Sequence, residues 1–299
     1  MRRDAASNLP ALRLLAQGEA LVIGHRGSPR LAPENTLPSF EWALAAGADL
    51  VELDYRQSKD SVPMVIHDAE LDRTTDARRR WGRRRIRVES KTASEIQCLD
   101  AGGWFKSGYE GTRVPLLSEA LEWIGEKGVA LIERKAGRPE DLLELLRSMG
   151  LINRVIVQSF DWEFLGAMHA LAPEQALAAL GPAQRLASGR KPIGIPGRLT
   201  RPWITQAINT RARIVVWNRR ISKRAVRLAH ERGLKVWVYT VDDARLARRL
   251  LKAGVDGIIT NVPGSVRGLL SRFQDLSTER QSNPTGPRSE LGEGQSGWR

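Results

Sequence analysis

The sequence predicts a (β/α)8 barrel, a TIM barrel of the α/β class, with a small cap insertion after the hairpin of its second strand. Short apolar runs alternate with helical segments along most of the chain, as in proteins built on a parallel sheet. Eight such runs remain once one hairpin strand is set aside, and 299 residues suffice for one large barrel. Polar side chains suited to chemistry stand at or near the carboxyl ends of these runs, where barrels of this kind carry their sites.

The predicted elements follow one another in order along the chain. Residues 1–20 form a loose arm with one short helix, residues 21–274 form the barrel, and the polar segment 275–299 is predicted to be disordered. The barrel strands are predicted at 21–25, 50–54, 129–134, 154–159, 175–180, 213–217, 235–240 and 257–260. The helices between them are predicted at 36–46, 117–127, 139–149, 162–171, 201–210, 222–232 and 243–253, with Asn35 or Thr36 as the first N-cap.

A hairpin joins the second strand to the next apolar run. The second strand continues to residue 57, and only residues 58–62 separate it from the run at 63–67. Because a parallel crossover needs a dozen or more residues, these two segments must pair antiparallel. The chain then folds back so that His67, at the end of the run, lies opposite the carboxylates of the second strand.

Residues 69–115 are predicted to form a small cap, because the segment is too long for an ordinary loop. A short helix is predicted at 92–99. The most basic stretch of the chain surrounds Trp81 and holds seven arginines: Arg78, Arg79, Arg80, Arg83, Arg84, Arg85 and Arg87. We hypothesise that this cluster brings an anionic membrane to the cap. The alternative is a solvated arginine loop with no special function.

Composition bears on partners and on location. The chain has 47 basic and 34 acidic residues, a net charge of +13, which favours anionic partners such as phosphodiesters, anionic membranes or nucleic acid. The equally weighted alternative is that arginine is the default surface residue. The absence of an 18-residue apolar run and of an apolar signal-peptide core, together with the single Cys98, predicts a cytoplasmic protein.

Acidic side chains mark two of the predicted strands. Glu52 and Asp54 share one face of their strand, since side chains alternate along a strand. Glu133 and Lys135 share one face of a later predicted strand in the same way. Buried carboxylates are costly without a partner, and a hard divalent cation, Mg²⁺ or Ca²⁺, suits oxygen ligands. The alternative is a set of structural ion pairs.

Two of the four histidines, His25 and His67, each end a short apolar run. Imidazole titrates near neutral pH, so two histidines beside a carboxylate cluster form a candidate acid–base pair. A single histidine at a strand end is more often structural, and zinc binding stays open as a rival use. His169 and His230 fall on predicted helices away from the strand ends, and we interpret both as structural.

Several short motifs in residues 25–75 occur in the order and at the spacing of one family. They are His25-Arg26-Gly27, Pro33-Glu34-Asn35-Thr36, Gly47-Ala48-Asp49, Glu52-Leu53-Asp54, Lys59-Asp60, His67-Asp68 and Arg73-Thr74-Thr75. The segment closely resembles the glycerophosphodiester phosphodiesterase family, and a looser likeness continues to about Pro263. The sequence departs from the family pattern at Ser61, where glycine is usual, and at Tyr239, where tryptophan is common.

The resemblance implies an activity and a set of residue roles. It implies metal-dependent hydrolysis of glycerophosphodiesters to glycerol 3-phosphate and an alcohol, with a cap that overhangs the active site. His25 and His67 would be the acid and base. The implied metal ligands are Glu52, Asp54 and Glu133, and the implied substrate-binding residues are Arg26, Glu34, Lys135 and Tyr239.

Two alternatives to this activity are carried forward. The nearer one is a lysophospholipase D that acts on lysophospholipids at a membrane surface. The remoter one is a catalytically lapsed basic module that binds lipid or nucleic acid. Every residue that catalysis requires is present, so the lapsed module is disfavoured and no nucleic acid partner is expected.

Overall fold

The computed structural model describes residues 10–193 and 197–282, with side chains through residue 272. Within this part of the chain, eight parallel strands close into a barrel, and a ninth strand pairs antiparallel with one of them. The strands are β1 (Leu21–Gly24), β2 (Leu50–Gln57), β3 (Pro63–Val65), β4 (Val129–Arg134), β5 (Ile156–Ser159), β6 (Ala176–Leu180), β7 (Ile214–Asn218), β8 (Lys235–Tyr239) and β9 (Gly257–Thr260). Because β1 pairs with both β2 and β9, the barrel is closed, and the predicted fold is confirmed.

The helices lie close to their predicted positions. They are α1 (Pro10–Ala16), α2 (Leu37–Ala45), α3 (Ala77–Trp81), α4 (Ala93–Gln97), α5 (Leu117–Gly125), α6 (Pro139–Ser148), α7 (Trp162–Leu171), α8 (Arg201–Asn209), α9 (Lys223–His230), α10 (Ala244–Ala253) and α11 (Pro263–Ser282). None of the helices in the described parts of the chain combines the length and the apolar character needed to cross a bilayer.

Helix α11 corrects the predicted boundary of the tail. It runs to Ser282 and so includes the first residues of the segment predicted to be disordered. Val266, Leu269 and Leu270 are buried against the barrel at the spacing of one helical face, which supplies the packing that holds the helix. Residues 283–299 of the predicted tail lie outside the described residues.

The two faces of the strands bury two separate apolar layers. One layer fills the barrel interior and includes Ile23, Leu131 and Val216, while the other lies between the strands and the helices and includes Val22, Val51 and Ile132. This separation follows from the two-residue period of a strand, which sends alternate side chains inward and outward. Near the carboxyl ends, the inward positions of β2 and β4 change from apolar to charged side chains.

Helix α1 packs against the barrel and corrects the prediction of a loose arm. Ala11 is fully buried, and Leu12, Leu14 and Leu15 pack against the interior apolar layer. The helix immediately precedes β1, so it lies at the amino ends of the strands and covers the interior there. Residues 1–9 lie outside the described part of the chain.

The predicted hairpin is confirmed by its register. Strand β3 pairs antiparallel with the second half of β2, with Tyr55 opposite Val65 and Gln57 opposite Pro63. The first half of β2 pairs with β1 on the same side, so β3 stacks above β1. This arrangement carries the chain back over the carboxyl end of the barrel, where His67 follows directly after the strand.

The insertion between β3 and α5 has an apolar core of its own. Its buried side chains include Leu71, Ile86, Val88 and Ile96. The predicted helix at 92–99 is α4, which begins with a capping box at Thr92. Trp81 is half-buried against this core, and the ammonium of Lys91 lies 4.1 Å from the centre of its ring. Its ring is therefore not exposed for contact with a membrane.

The hairpin turn contains a strained residue. Ser61 has φ of 62°, in the left-handed region that glycine adopts without steric cost. That region costs a non-glycine residue about 1–2 kcal/mol, while glycine loses about 0.5–1 kcal/mol more chain entropy on folding.

Ser61→Gly should therefore raise the free energy of unfolding by about 0.5–1 kcal/mol, measured by urea denaturation. The matched control is Ser271→Gly on α11, which places glycine inside a regular helix and should lower stability by a few tenths of a kcal/mol. A loss of stability in both variants would show that the turn is unstrained.

Candidate active site

Three carboxylates meet at the carboxyl end of the barrel. Glu52 and Asp54 lie on β2 and Glu133 lies on β4, and the pairing of these strands sets Asp54 beside Glu133. All three are buried, and one oxygen of each lies within 4.8 Å of the others. As the sequence predicted, all three side chains lie on the inward faces of their strands.

Their burial makes the three carboxylates electrostatically unequal. Burial, followed by the charge of Asp54, raises the pKa of Glu52 to about 8 and that of Glu133 to about 8. Burial also favours protonated Asp54, but the charges of Lys135 and then Arg26 outweigh it and lower the pKa of Asp54. Three oxygen ligands that repel one another in a buried site fit a hard divalent cation, which would allow all three to be ionised.

Two cations of the chain already lie against this cluster. The Lys135 ammonium contacts Glu133 and lies 3.2 Å from Asp54 Oδ1, and the Arg26 Nε lies 3.2 Å from Asp54 Oδ2. Asn35 adds a donor, with its Nδ2 2.9 Å from Asp54 Oδ2. These contacts explain why Asp54 is the carboxylate most readily ionised. Asn35 therefore does not serve as the side-chain cap of α2, which begins after Thr36.

The turn after β1 holds Arg26 in a strained backbone conformation. Arg26 has φ of 54°, and its N–H donates to Glu52 Oε2 at 2.8 Å. Gly27 follows with φ of 87°, and a Cβ there would lie 2.5 Å from the backbone oxygen of Ser39. Strain of this kind persists where the surroundings fix the backbone. Here it directs both the amide and the guanidinium of one residue towards the carboxylates.

His25 is held by a chain of hydrogen bonds from β8 and β9. Its Nδ1 lies 2.8 Å from Asn261 Oδ1, and Asn261 Nδ2 donates to Asp242 Oδ2 at 2.8 Å. A second donation, from the Asn261 N–H to Asp242 Oδ1, fixes the amide further. Because the carboxylate of Asp242 can only accept here, the amide oxygen faces the ring, and His25 Nδ1 must carry a proton. The remaining ring nitrogen, Nε2, is then free to exchange protons.

His67 is held by a second, charged network. Its Nδ1 lies 2.7 Å from Asp68 Oδ1, and Asp68 accepts in turn from Arg73. Arg73 donates to both oxygens of Glu34, which also accepts from Arg26 at 2.7 Å. Glu34 thus joins the support of His67 to Arg26. Burial lowers the pKa of His67, and burial followed by the charge of Arg26 lowers that of His25.

A cavity of about 250 Å³ lies at the carboxylate cluster, and Glu52 and Glu133 form part of its lining. Within the described part of the chain, its lining includes both histidines, Arg26 and Lys135, but not Glu34 or any residue of the insertion. The overhang of the insertion above the site stays a prediction. Arg73, within the insertion, donates to both Asp68 and Glu34, so the insertion contributes to the network that holds His67. Apolar side chains complete the wall: Phe160, Leu180, Tyr239 and Ile259.

Tyr239 belongs to this apolar wall. Its hydroxyl donates to the Gly181 carbonyl at 2.7 Å, and its ring packs edge to face on Phe160 with centroids 6.0 Å apart. Gln158, on β5, reaches the cluster from the other side, with Nε2 3.5 Å from Glu52 Oε1. The Oε1 of Gln158 is buried without a hydrogen-bond partner among the described residues, so it is free to meet a ligand.

Comparison with known proteins identifies the family. The model of the glycerophosphoryl diester phosphodiesterase family matches residues 25–265. The chain belongs to this family. A glycerophosphodiester phosphodiesterase of Caldanaerobacter subterraneus is 32% identical over 261 residues, covering 85% of this chain and 99% of the relative. One of Bacillus subtilis is 32% identical over 269 residues, covering 84% and 86%.

Solved structures agree with the family assignment. A glycerophosphodiester phosphodiesterase from Agrobacterium tumefaciens matches with a TM-score of 0.68 and 29% identity, covering 85% of this chain and 99% of that one. A phosphodiesterase from Oleispira antarctica, solved with the product sn-glycerol-3-phosphate, matches with a TM-score of 0.72 and 25% identity, covering 85% and 97%. The predicted enzyme class is thereby confirmed.

The sequence singled out the residues that cluster at this site but missed most of the residues that hold them. Both candidate histidines line one cavity with Glu52 and Glu133, and Asp54 lies beside Glu133 in the same cluster. The missed residues are Asn35, Arg73, Gln158, Asp242 and Asn261. Asn35 and Arg73 stood inside quoted motifs, yet nothing in the spacing showed which partner each one holds. His169 and His230 lie on helices, and His230 pairs with Asp256 at 2.7 Å, consistent with a structural role.

The carboxylate cluster gives a prediction about metal. Mg²⁺ or Ca²⁺ at about 100 times its dissociation constant should raise the melting temperature by about 5–10 °C, because a ligand of the native state stabilises it. Glu52→Gln, Asp54→Asn and Glu133→Gln should each move the titration midpoint to higher metal concentration, measured by thermal unfolding without substrate. Glu144→Gln, exposed on α6, should leave it unchanged. Equal midpoints in all four variants would exclude this cluster as the metal site.

The support of His25 gives a second prediction. Asn261→Asp sets a carboxylate against Asp242 and should lower kcat about 10²-fold with little change in KM, because the ring loses its fixed orientation. The double variant Asp242→Asn with Asn261→Asp exchanges the two isosteric side chains and should recover most of that loss. A double variant as impaired as the single one would show that the pair does not position His25.

Proposed function

We propose that this enzyme hydrolyses the phosphodiester of a glycerophosphodiester to sn-glycerol 3-phosphate and an alcohol, with His25 and His67 as the acid–base pair. The observation that carries the proposal is that both histidines line one cavity together with Glu52, Glu133 and two cations. The Oleispira antarctica phosphodiesterase, which is solved with sn-glycerol-3-phosphate, supports the assignment of this product.

Proton transfer follows from the hydrogen bonds of the two rings. Each histidine donates its Nδ1 proton to a neighbour, His25 to Asn261 and His67 to Asp68. Each ring therefore offers Nε2 to the substrate. One histidine takes the proton of the attacking oxygen, and the other gives a proton to the departing alcohol.

The cations of the cavity suit a phosphate group. Arg26 and Lys135 would hold the non-bridging oxygens and offset the negative charge that develops on them. A divalent cation held by Glu52, Asp54 and Glu133 would add neutralisation of the same charge. Glu34 contributes indirectly in this scheme, because both of its oxygens are taken by arginines and it keeps Arg26 in place.

The size of the cavity favours a small diester over a lysophospholipid. At about 250 Å³ it lies just below the range of pockets that enclose drug-sized ligands, about 300–1,000 Å³. A glycerophosphate with a small head group is matched to that space. The acyl chain of a lysophospholipid would have to extend outside it, so this activity requires a second, apolar surface near the mouth.

Substitution of the histidines tests the proposal. His25→Ala and His67→Ala should each lower kcat for glycerophosphocholine by about 10²–10⁴-fold, because general acid–base catalysis contributes that much. The measurement is divalent-dependent release of glycerol 3-phosphate, with EDTA as the blank. His169→Ala, on α7 away from the cavity, is the matched control and should retain wild-type turnover.

Near-wild-type turnover in His25→Ala or His67→Ala would remove that residue from the mechanism. Failure of the wild-type enzyme to release glycerol 3-phosphate in the presence of Mg²⁺ or Ca²⁺ would contradict the proposed activity itself.

A further inference from the structure

Five apolar or aromatic side chains form a partly exposed surface where the insertion meets the segment after β1, here called the aromatic surface: Leu31, Trp42, Trp104, Phe105 and Tyr109. Leu31 is 42% exposed, Trp42 is 47% exposed and Trp104 is 41% exposed. The three rings of the insertion pack edge to face, with centroids 5.7 and 5.8 Å apart. Large aromatic side chains gathered on a surface mark an interaction site, because exposing them to water is unfavourable.

Hydrogen bonds hold the aromatic surface in place. Tyr109 donates its hydroxyl proton to the Leu31 carbonyl at 2.9 Å, and Trp42 Nε1 donates to the Tyr109 hydroxyl at 3.1 Å. Trp104 Nε1 donates to the Ala101 carbonyl at 2.8 Å. The polar atoms of the rings are thus satisfied by the protein itself, and the apolar ring surface remains for a partner.

The aromatic surface lies at the same end of the barrel as the cavity. Leu31 belongs to the loop that leaves the carboxyl end of β1 and enters α2, and Arg26, which lines the cavity, belongs to that loop too. The contacts of Tyr109 with Leu31 and Trp42 join the insertion to this loop. A partner seated on the surface would therefore approach the end of the barrel that binds substrate.

The insertion that carries three of these rings also carries an arginine-rich stretch that begins in α3. Two hydrogen bonds join the start of α3 to the segment that leads to Trp104. The Asp76 N–H donates to the Asp100 carbonyl, and the Asp100 N–H donates to Asp76 Oδ1. Among the described residues, five exposed guanidinium groups of this region make no ion pair: Arg78, Arg80, Arg83, Arg84 and Arg85. Lys106 adds a cation 5.5 Å from the centre of the Phe105 ring.

We propose that the insertion docks the enzyme on an anionic phospholipid bilayer, with the aromatic surface at the headgroup boundary and the arginines on the anionic headgroups. Tryptophan and tyrosine favour the boundary between lipid and water, and basic side chains bind anionic lipid. Arginines alone would equally suit a nucleic acid, but the exposed apolar rings on the same insertion favour a bilayer. The inference rests on the proposed function in one respect: docking on a bilayer would bring lipid-derived substrates to the cavity.

Flotation with liposomes tests the proposal on the full chain. The vesicles contain phosphatidylcholine with or without phosphatidylglycerol, at low and at physiological salt. The aromatic variant is Trp42→Gln with Trp104→Gln, and the arginine variant is Arg78→Ser, Arg80→Ser and Arg84→Ser. The matched control removes three exposed arginines of the α9–α10 region: Arg224→Ser, Arg232→Ser and Arg249→Ser.

Wild type should bind the anionic vesicles and be released by salt. The arginine variant should bind about 100-fold more weakly at low salt and the aromatic variant about 10-fold more weakly, while the control should bind like wild type. All four proteins should hydrolyse glycerophosphocholine equally, since none of the changed residues lines the cavity.

Equal vesicle binding by all four proteins, or no binding by wild type at low salt, would overturn the proposal. Wild-type binding to a single-stranded oligonucleotide but not to vesicles would assign the arginines to nucleic acid instead. A dimer of the wild type that the aromatic variant abolishes would assign the aromatic surface to a second copy of the chain. Flotation needs no turnover, so vesicle binding without release of glycerol 3-phosphate would contradict the proposed function alone.

Discussion

Burial of three carboxylates against one another is the constraint on which the site depends. Glu52, Asp54 and Glu133 lie within 4.8 Å of each other, away from water. Charges in such a place are stable only when they are paired or bound to a cation. Arg26 and Lys135 supply part of that pairing, but burial and the charge of Asp54 still raise the pKa of Glu52 and of Glu133. A divalent cation in the cluster would favour the ionised form of all three.

The need to pair these charges explains features of the fold elsewhere. Arg26 reaches the cluster because the turn after β1 adopts a left-handed conformation, which the close contact of Gly27 with α2 maintains. The same arginine is held from behind by Glu34, and through Arg73 and Asp68 that contact extends to His67. One network therefore holds both Arg26 and His67 in place, so a change in either is expected to disturb both.

The insertion supports the site, while the cavity lining in the described residues comes from the barrel and its loops. It packs on a core of its own, and its Arg73 belongs to the network that holds His67. Its exposed aromatic side chains and unpaired arginines face outward. The strand ends thus carry the candidate catalytic residues, and the insertion presents an exposed surface of its own.

The sequence by itself determined the barrel, its strand order along the chain, the hairpin and the inward faces of Glu52, Asp54 and Glu133. These follow from local periodicity and from loop length, which act over a few residues. It did not determine that α1 covers the interior at the amino ends of the strands, or that α11 continues to Ser282. It also did not determine that Asp242 and Asn261 hold His25. Such pairings join residues that are far apart in the chain, and only closure of the barrel brings them within hydrogen-bond distance. The aromatic surface is of the same kind, since Trp42 meets Tyr109 only where the insertion packs against the loop before α2.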